Sequence, residues 1–111
     1  MHIAITIGDP AGVGPELALR ACADPAVRAL CQPVLVGNRV LLTRVADRLG
    51  LEVPAEIEDP ALPGFDPAAV EPGRIQAACA AAGVAWVEAA ISGCRAGRYA
   101  AMVTCPLNKA A

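Results

Sequence analysis

The first sixteen residues constrain the fold more than any other part of this chain. Residues 3–7 form an apolar, largely β-branched run that is typical of a buried strand, and a loop rich in glycine and proline follows at once. Gly14, Pro15 and Glu16 then fit the start of a helix, because a first-turn proline needs no amide partner. This order of strand, loop and helix predicts an α/β fold, in which such a junction commonly binds a cofactor.

The loop after the first strand contains the candidates for binding a dinucleotide cofactor, which are Gly8, Asp9, Gly12, Gly14 and Glu16. Glycines allow left-handed backbone angles and let a ligand approach the main chain, and the free amides of the helix start face the same space. The loop matches neither a Walker phosphate loop nor a complete dinucleotide fingerprint. Its carboxylates would repel pyrophosphate but could accept hydrogen bonds from ribose hydroxyls or favour a cationic nicotinamide. Alternatively, Asp9 only shapes a turn and Glu16 only complements the helix dipole.

Strands and helices alternate along the rest of the chain. Strands are expected at 33–37, 53–57 and 99–104, and helices at 15–23, 38–49 and 74–97. The acidic, proline-rich residues 58–73 predict an exposed connection. Because helices join parallel strands, this order predicts an α/β fold with a mostly parallel sheet and flanking helices.

Local patterns refine two of these helices. Asn38 is suited to cap the second helix, and Gly50 marks its end. The apolar face of that helix is expected to include Val40, Leu41, Val45 and Leu49. The long helix at 74–97 offers small residues for close packing, at Ala78, Ala82, Ala85, Ala89 and Ala90.

A second polar loop follows the last predicted strand. Thr104 and Asn108 can donate and accept hydrogen bonds, and Lys109 offers a cation for a phosphate or a carboxylate. Because parallel strands end at the same edge of a sheet, this loop should face Gly8 and Asp9 across one crevice. We therefore predict that these three residues bind substrate, the alternative for Lys109 being a solvated surface lysine.

Composition excludes several classes of function. A net charge of −2 and scattered basic residues argue against nucleic-acid binding. Polar residues such as Glu88 interrupt the apolar stretch at 75–90, and the start lacks a signal-peptide pattern, so a cytoplasmic protein with no membrane partner is expected. The five cysteines, odd in number and without metal-knuckle spacing, are expected to be reduced. With His2 as the single histidine, no catalytic set and no metal site can be assigned.

Two segments carry a family resemblance. Residues 5–16, ITIGDPAGVGPE, and residues 103–109, VTCPLNK with its Thr-x-Pro-x-x-Lys pattern, resemble the amino-terminal third of the 4-hydroxythreonine-4-phosphate dehydrogenase family. The resemblance implies an isocitrate and isopropylmalate dehydrogenase-like fold. In that wider group a related opening lies near the nicotinamide, which agrees with the carboxylate argument for Asp9 and Glu16. Residues 1–111 would then be a single incomplete α/β domain, the amino-terminal portion of a longer two-domain enzyme.

The same resemblance implies an activity. It is the oxidation of 4-phosphohydroxy-L-threonine, a small phosphorylated hydroxy amino acid, by NAD or NADP with subsequent decarboxylation, in pyridoxal phosphate biosynthesis. A divalent metal (Zn, Mg or Co) and a homodimer are implied as well. Because the family's metal-binding histidines lie beyond residue 111, we expect these residues alone to be inactive. The alternatives are a paralogue acting on 4-phosphorylated threonate or erythronate, and a noncatalytic nucleotide-binding fragment.

Overall fold

A parallel four-stranded sheet forms the centre of the computed structural model, which describes residues 1–107. Along the chain the elements are β1 (His2–Thr6), α1 (Gly14–Ala23), α2 (Pro25–Leu30), β2 (Gln32–Val36), α3 (Arg39–Leu49), β3 (Ile57–Glu58), a 3-10 turn (Pro67–Ala69), α4 (Ala77–Arg95) and β4 (Ala101–Thr104). The strands lie in the order β3-β2-β1-β4, and every neighbouring pair is parallel. The predicted α/β fold with a parallel sheet and flanking helices is therefore confirmed.

The register of the sheet aligns the strand ends that matter for a site. Thr6 at the end of β1 pairs with Val36 of β2 on one side and with Thr104 of β4 on the other. The loops that follow β1 and β4 therefore leave the same edge of the sheet. This is the edge at which open α/β folds place their ligands.

Side-chain caps begin two of the helices. The Asp24 carboxylate accepts a hydrogen bond from the Ala26 amide at 2.9 Å and begins α2. The Asn38 side chain accepts one from the Leu41 amide at 2.9 Å and begins α3, which ends at Gly50 with a left-handed φ of 70°. Each cap satisfies a backbone group that the helix end would otherwise leave without a partner. The predicted start and end of α3 are therefore confirmed.

The predicted inner face of α3 is partly wrong. Leu41, Leu42, Val45 and Ala46 are buried, whereas Val40 is 63% exposed. At 100° per residue, Leu42 lies on the same side as Val45 and Ala46, while Val40 points away from that side. The apolar pattern alone did not show which flank of the helix faces the core, where α1 and the 3-10 turn are its neighbours.

Helix α4 begins at Ala77, later than predicted, and covers β1, β2 and β4. Its buried side consists of Cys79, Ala82, Gly83, Trp86, Ala90 and Gly93. Of the small residues predicted to pack, Ala82 and Ala90 are buried beside Trp86, whereas Ala78 is exposed. Despite Glu88, the helix is long and apolar enough to cross a membrane by length and composition, with 19 residues and a mean hydropathy of 1.5. Its contacts with the sheet are those of a core helix in an α/β fold.

Two strand predictions are displaced. The edge strand expected at 53–57 is the short β3, Ile57–Glu58, since Pro54 has no amide to donate to a sheet. The strand expected from residue 99 starts at Ala101, and Tyr99 before it packs its buried ring against Gly93 of α4. The connection expected at 58–73 is largely irregular but contains the 3-10 turn at Pro67–Ala69.

Candidate functional site

Two loops from distant parts of the sequence are joined at the carboxyl edge of the sheet. The Cys105 amide donates to the Thr6 carbonyl at 3.1 Å, and the Asp9 amide donates to the Pro106 carbonyl at 3.0 Å. These hydrogen bonds extend the pairing of β1 and β4 into the loops. The structure thus brings the loop after β1 beside the loop after β4, as the parallel topology predicts.

The glycines of the first loop have different roles. Gly8 has a φ of +71°, and a Cβ there would clash with the Pro106 carbonyl. Gly14 has no positive φ, but its Cβ would clash with the Ile7 carbonyl, so glycine lets α1 approach the strand. At Gly12 a Cβ would make only ordinary contacts, 3.5 Å from the Asp9 carbonyl. Among these three glycines, the expected left-handed conformation therefore occurs at Gly8 alone.

Asp9 is buried, 7% exposed, and shapes the turn of this loop. Its Oδ1 accepts a hydrogen bond from the Ala11 amide at 2.9 Å, and its carbonyl accepts one from the Gly12 amide at 2.9 Å. Within residues 1–107, no donor of the chain reaches the second carboxylate oxygen. Asp9 therefore shapes a turn, as the alternative interpretation predicts, and its second carboxylate oxygen can still accept a hydrogen bond from a ligand hydroxyl.

Glu16 lies in the first turn of α1, where a negative charge complements the helix dipole. It accepts a hydrogen bond from Arg20 Nε at 2.9 Å, and both side chains are about half exposed. Such a surface ion pair contributes roughly 0–1 kcal/mol. The cap residue of α1, Val13, provides no side-chain hydrogen bond, so this helix start has no side-chain cap for its amides.

Of the predicted substrate residues, the structure places Thr104. It is exposed at the end of β4, opposite Thr6 in register. Asn108 and Lys109 lie outside the described residues. The candidate site can therefore be described for the cofactor loop and Thr104 only.

The structure adds polar groups near these two loops that were not among the predicted site residues. Thr6 is fully buried, and its Oγ1 has no hydrogen-bond partner within the described chain. Burial raises the pKa of the Cys79 thiol, and the Asp9 carboxylate raises it further. Burial also raises the pKa of the Cys105 thiol. Both thiols are therefore protonated near neutral pH, which does not suit a nucleophile. The sequence signal that could have identified Thr6 is a threonine within an otherwise apolar strand.

A metal ion does not fit the described part of the chain. Within residues 1–107, no three His, Cys, Asp or Glu side chains form a group that could hold one. Divalent metals in enzymes need several such ligands together. A metal site would therefore need ligands from outside these residues.

A match to a family model decides the family of the chain. The model described as "Pyridoxal phosphate biosynthetic protein PdxA" matches residues 29–111. The chain belongs to this family. Two curated relatives also match nearly all of it.

A 4-hydroxythreonine-4-phosphate dehydrogenase of Synechococcus sp. (strain JA-3-3Ab) is 37% identical over 114 residues, covering 96% of this chain and 33% of that protein. A protein of Symbiobacterium thermophilum, provisionally named D-threonate 4-phosphate dehydrogenase, is 34% identical over 123 residues, covering 98% of this chain and 37% of that protein. The chain thus spans about a third of the length of these PdxA-family relatives.

A solved structure agrees with the fold. The 4-hydroxythreonine-4-phosphate dehydrogenase from Burkholderia phymatum superposes with a TM-score of 0.87 at 27% identity, covering 98% of this chain and 37% of that one. The predicted family resemblance is confirmed, and the parallel sheet described above is the one that this PdxA-family structure shares.

Proposed function

We propose that this PdxA-family chain forms the cofactor-binding part of an NAD(P)-dependent dehydrogenase that oxidises 4-phosphohydroxy-L-threonine in pyridoxal phosphate biosynthesis. The names of its relatives support the reaction. The position of the site is supported by the hydrogen bond from the Asp9 amide to the Pro106 carbonyl. This bond joins the two polar loops at the edge of the sheet where open α/β folds bind their ligands. When bound, the nicotinamide would accept the hydride from the hydroxyl-bearing carbon, and the oxidised product would then lose carbon dioxide.

The residues of the first loop have separate roles in this proposal. The second Asp9 oxygen accepts a hydrogen bond from a ribose hydroxyl, and the negative charge favours a cationic nicotinamide. Gly12 is exposed and leaves the main chain open to the ligand, while Gly8 lets the loop after β4 approach and Gly14 keeps the start of α1 close. Glu16 adds a second carboxylate at the helix start. Thr104 lies on the substrate side, with Asn108 and Lys109 following it in sequence.

The rest of the proposal concerns the complete enzyme. A divalent metal, Zn, Mg or Co, would take its ligands from outside residues 1–107. We further propose a cytoplasmic homodimer for the full-length enzyme. Turnover is expected to need the longer chain that the relatives have, so residues 1–111 alone would bind the cofactor without turnover.

Replacement of Asp9 by asparagine tests the cofactor site. The asparagine side chain keeps an acceptor for the Ala11 amide but removes the charge, so Asp9→Asn should weaken the binding of NAD or NADP about tenfold, the difference between a charged and a neutral hydrogen bond. Isothermal titration calorimetry measures both affinities. The matched control is Asp24→Asn. The Asp24 carboxylate accepts a hydrogen bond from the Ala26 amide at 2.9 Å in the same kind of turn, and Asp24 lies outside the candidate site. Equal affinities for the Asp9 variant and the wild type would contradict the proposal.

A second candidate substrate has its own support. The relative from Symbiobacterium thermophilum provisionally carries the name of a D-threonate 4-phosphate dehydrogenase. A hydroxy acid of this kind presents the same phosphate and the same reacting hydroxyl but carries a second hydroxyl in place of the amino group. Values of kcat/KM for 4-phosphohydroxy-L-threonine and for 4-phosphothreonate, each measured alone by NADH formation with the full-length enzyme, separate the two. A larger kcat/KM for the threonate would assign the chain to the paralogue.

A further inference from the structure

A small cleft of about 50 Å³ lies between α3 and the loop that follows β1. The loop contributes Ala11 to one wall, α3 contributes Arg44 and Arg48, and Val70 and Pro72 close the far side. One water molecule needs roughly 10–15 Å³ of such space, so the cleft admits a group of a few atoms and excludes a nucleotide base.

Hydrogen bonds hold the walls of the cleft together. The Gly73 amide donates to the Ala11 carbonyl at 2.8 Å, which fixes the segment after Val70 to the loop after β1. Arg44 Nη1 donates to the Pro67 carbonyl at 3.1 Å, which fixes the same segment to α3. Val70 between them is buried, 4% exposed. The cleft is therefore a built feature of the fold.

The charges around the cleft are unbalanced. Arg44 and Arg48 are one helical turn apart, and no carboxylate in the described part of the chain lies within ion-pair distance of either. Glu16 lines the cleft, but Arg20 holds its carboxylate at 2.9 Å. The nearby Glu71 is likewise engaged by Arg74, at 2.6 Å. Like charges at this helical spacing repel each other, and an anion between them would remove the repulsion.

We propose that Arg44 and Arg48 hold a phosphate group in this cleft. Arginine presents several N–H donors in a planar fork that matches the oxygens of a phosphate. Arg44 uses Nη1 for the Pro67 carbonyl and keeps its remaining donors, while Arg48 has no hydrogen-bond acceptor among residues 1–107. The phosphate is either free inorganic phosphate or a phosphate of a nucleotide whose other parts lie outside the cleft.

Titration of the ¹⁵N-labelled protein with inorganic phosphate, at ionic strength held constant with chloride, tests the site. Saturable shifts of the Ala11 amide and the α3 amides are expected, without any cofactor or turnover. Arg48→Gln should weaken phosphate binding about tenfold, and Arg44→Gln with Arg48→Gln should abolish it. Arg95→Gln is the control, because Arg95 is an exposed arginine in the last turn of α4. Wild-type shifts that do not saturate, or an Arg48 variant with unchanged affinity, would overturn the proposal.

Two further measurements complete the test. Phosphate should raise the melting temperature of the wild type and of Arg95→Gln, but not that of the double variant, and an equal rise in all three would again overturn the site. Competition distinguishes the two sources of phosphate. Displacement of phosphate by NADP but not by NAD supports a site for the 2′-phosphate, whereas no displacement by either supports a site for inorganic phosphate. Because phosphate binding is read directly, its outcome does not depend on that of the proposed dehydrogenase.

Discussion

Gly8 and Gly14 stand on either side of Asp9, and each excludes a side chain for its own reason. Gly8 combines a φ of +71° with the nearby Pro106 carbonyl, whereas Gly14 has an ordinary φ but lies against the Ile7 carbonyl. The sequence predicts that glycine is needed in this loop. It does not distinguish the two reasons, because the path of the chain near residue 106 depends on the pairing of β1 with β4.

Gly14→Ala should destabilise the protein by about 1–3 kcal/mol, the usual cost of forcing extra atoms into a packed site. The added Cβ would strike the Ile7 carbonyl, which belongs to the backbone and cannot rotate away. Urea unfolding followed by circular dichroism measures the change. Gly64→Ala is the matched control, since a Cβ there meets nothing within 4 Å and the residue has no positive φ. A stability equal to that of the control would show that α1 can move away from β1.

At the scale of single elements, the sequence predicts local structure well and contacts between elements poorly. The Asn38 cap and the Gly50 stop of α3 depend on neighbouring residues only, and both are found as predicted. The burial predicted for Val40 depends on which flank of α3 faces the core, and the strand start predicted at residue 99 depends on how Tyr99 packs; both predictions were wrong. The cleft beside Arg44 was not foreseen, because it exists only where the segment 67–73 folds back onto α3.

Asn38→Ala should lower the free energy of unfolding by about 1 kcal/mol, the typical contribution of a helix cap. The substitution removes the acceptor of the Leu41 amide and leaves that donor without its partner at the start of α3. Chemical denaturation measures the loss. Asn38→Ser keeps a side-chain oxygen for the amide and should retain most of the stability. If the serine variant lost as much as the alanine variant, the capping hydrogen bond would not be the cause.

Across the whole molecule, contacts between residues far apart in sequence hold the sheet edges and α4 in place. The alternation of strands and helices predicts that the strands are parallel. It does not predict their order in the sheet, β3-β2-β1-β4, which is known from the structure. Arg98 and Tyr99, just before β4, meet Glu58 of β3 at the opposite end of that order. Separations of 40 and 41 residues leave no periodic pattern by which a single sequence could predict these contacts.

This long-range contact makes stability depend on alkaline pH. Burial raises the pKa of Tyr99 to about 12, and the hydrogen bond that its hydroxyl donates to Glu58 raises it as well. The folded state therefore holds the proton more tightly than the unfolded state, whose tyrosine pKa is about 10. The resulting stabilisation is complete below about pH 10 and is lost as the pH rises towards 12.

Because Tyr99 is the single tyrosine of the chain, absorbance at wavelengths where tyrosinate absorbs reports its ionisation directly. The expected midpoint is near pH 12, and Glu58→Gln should lower it by removing the negative charge beside the hydroxyl. Tyr99→Phe should remove the part of the alkaline loss of stability that this hydroxyl causes. A wild-type midpoint near pH 10 would mean that the ring is solvated and that β3 is not tied to the segment before β4 through Glu58.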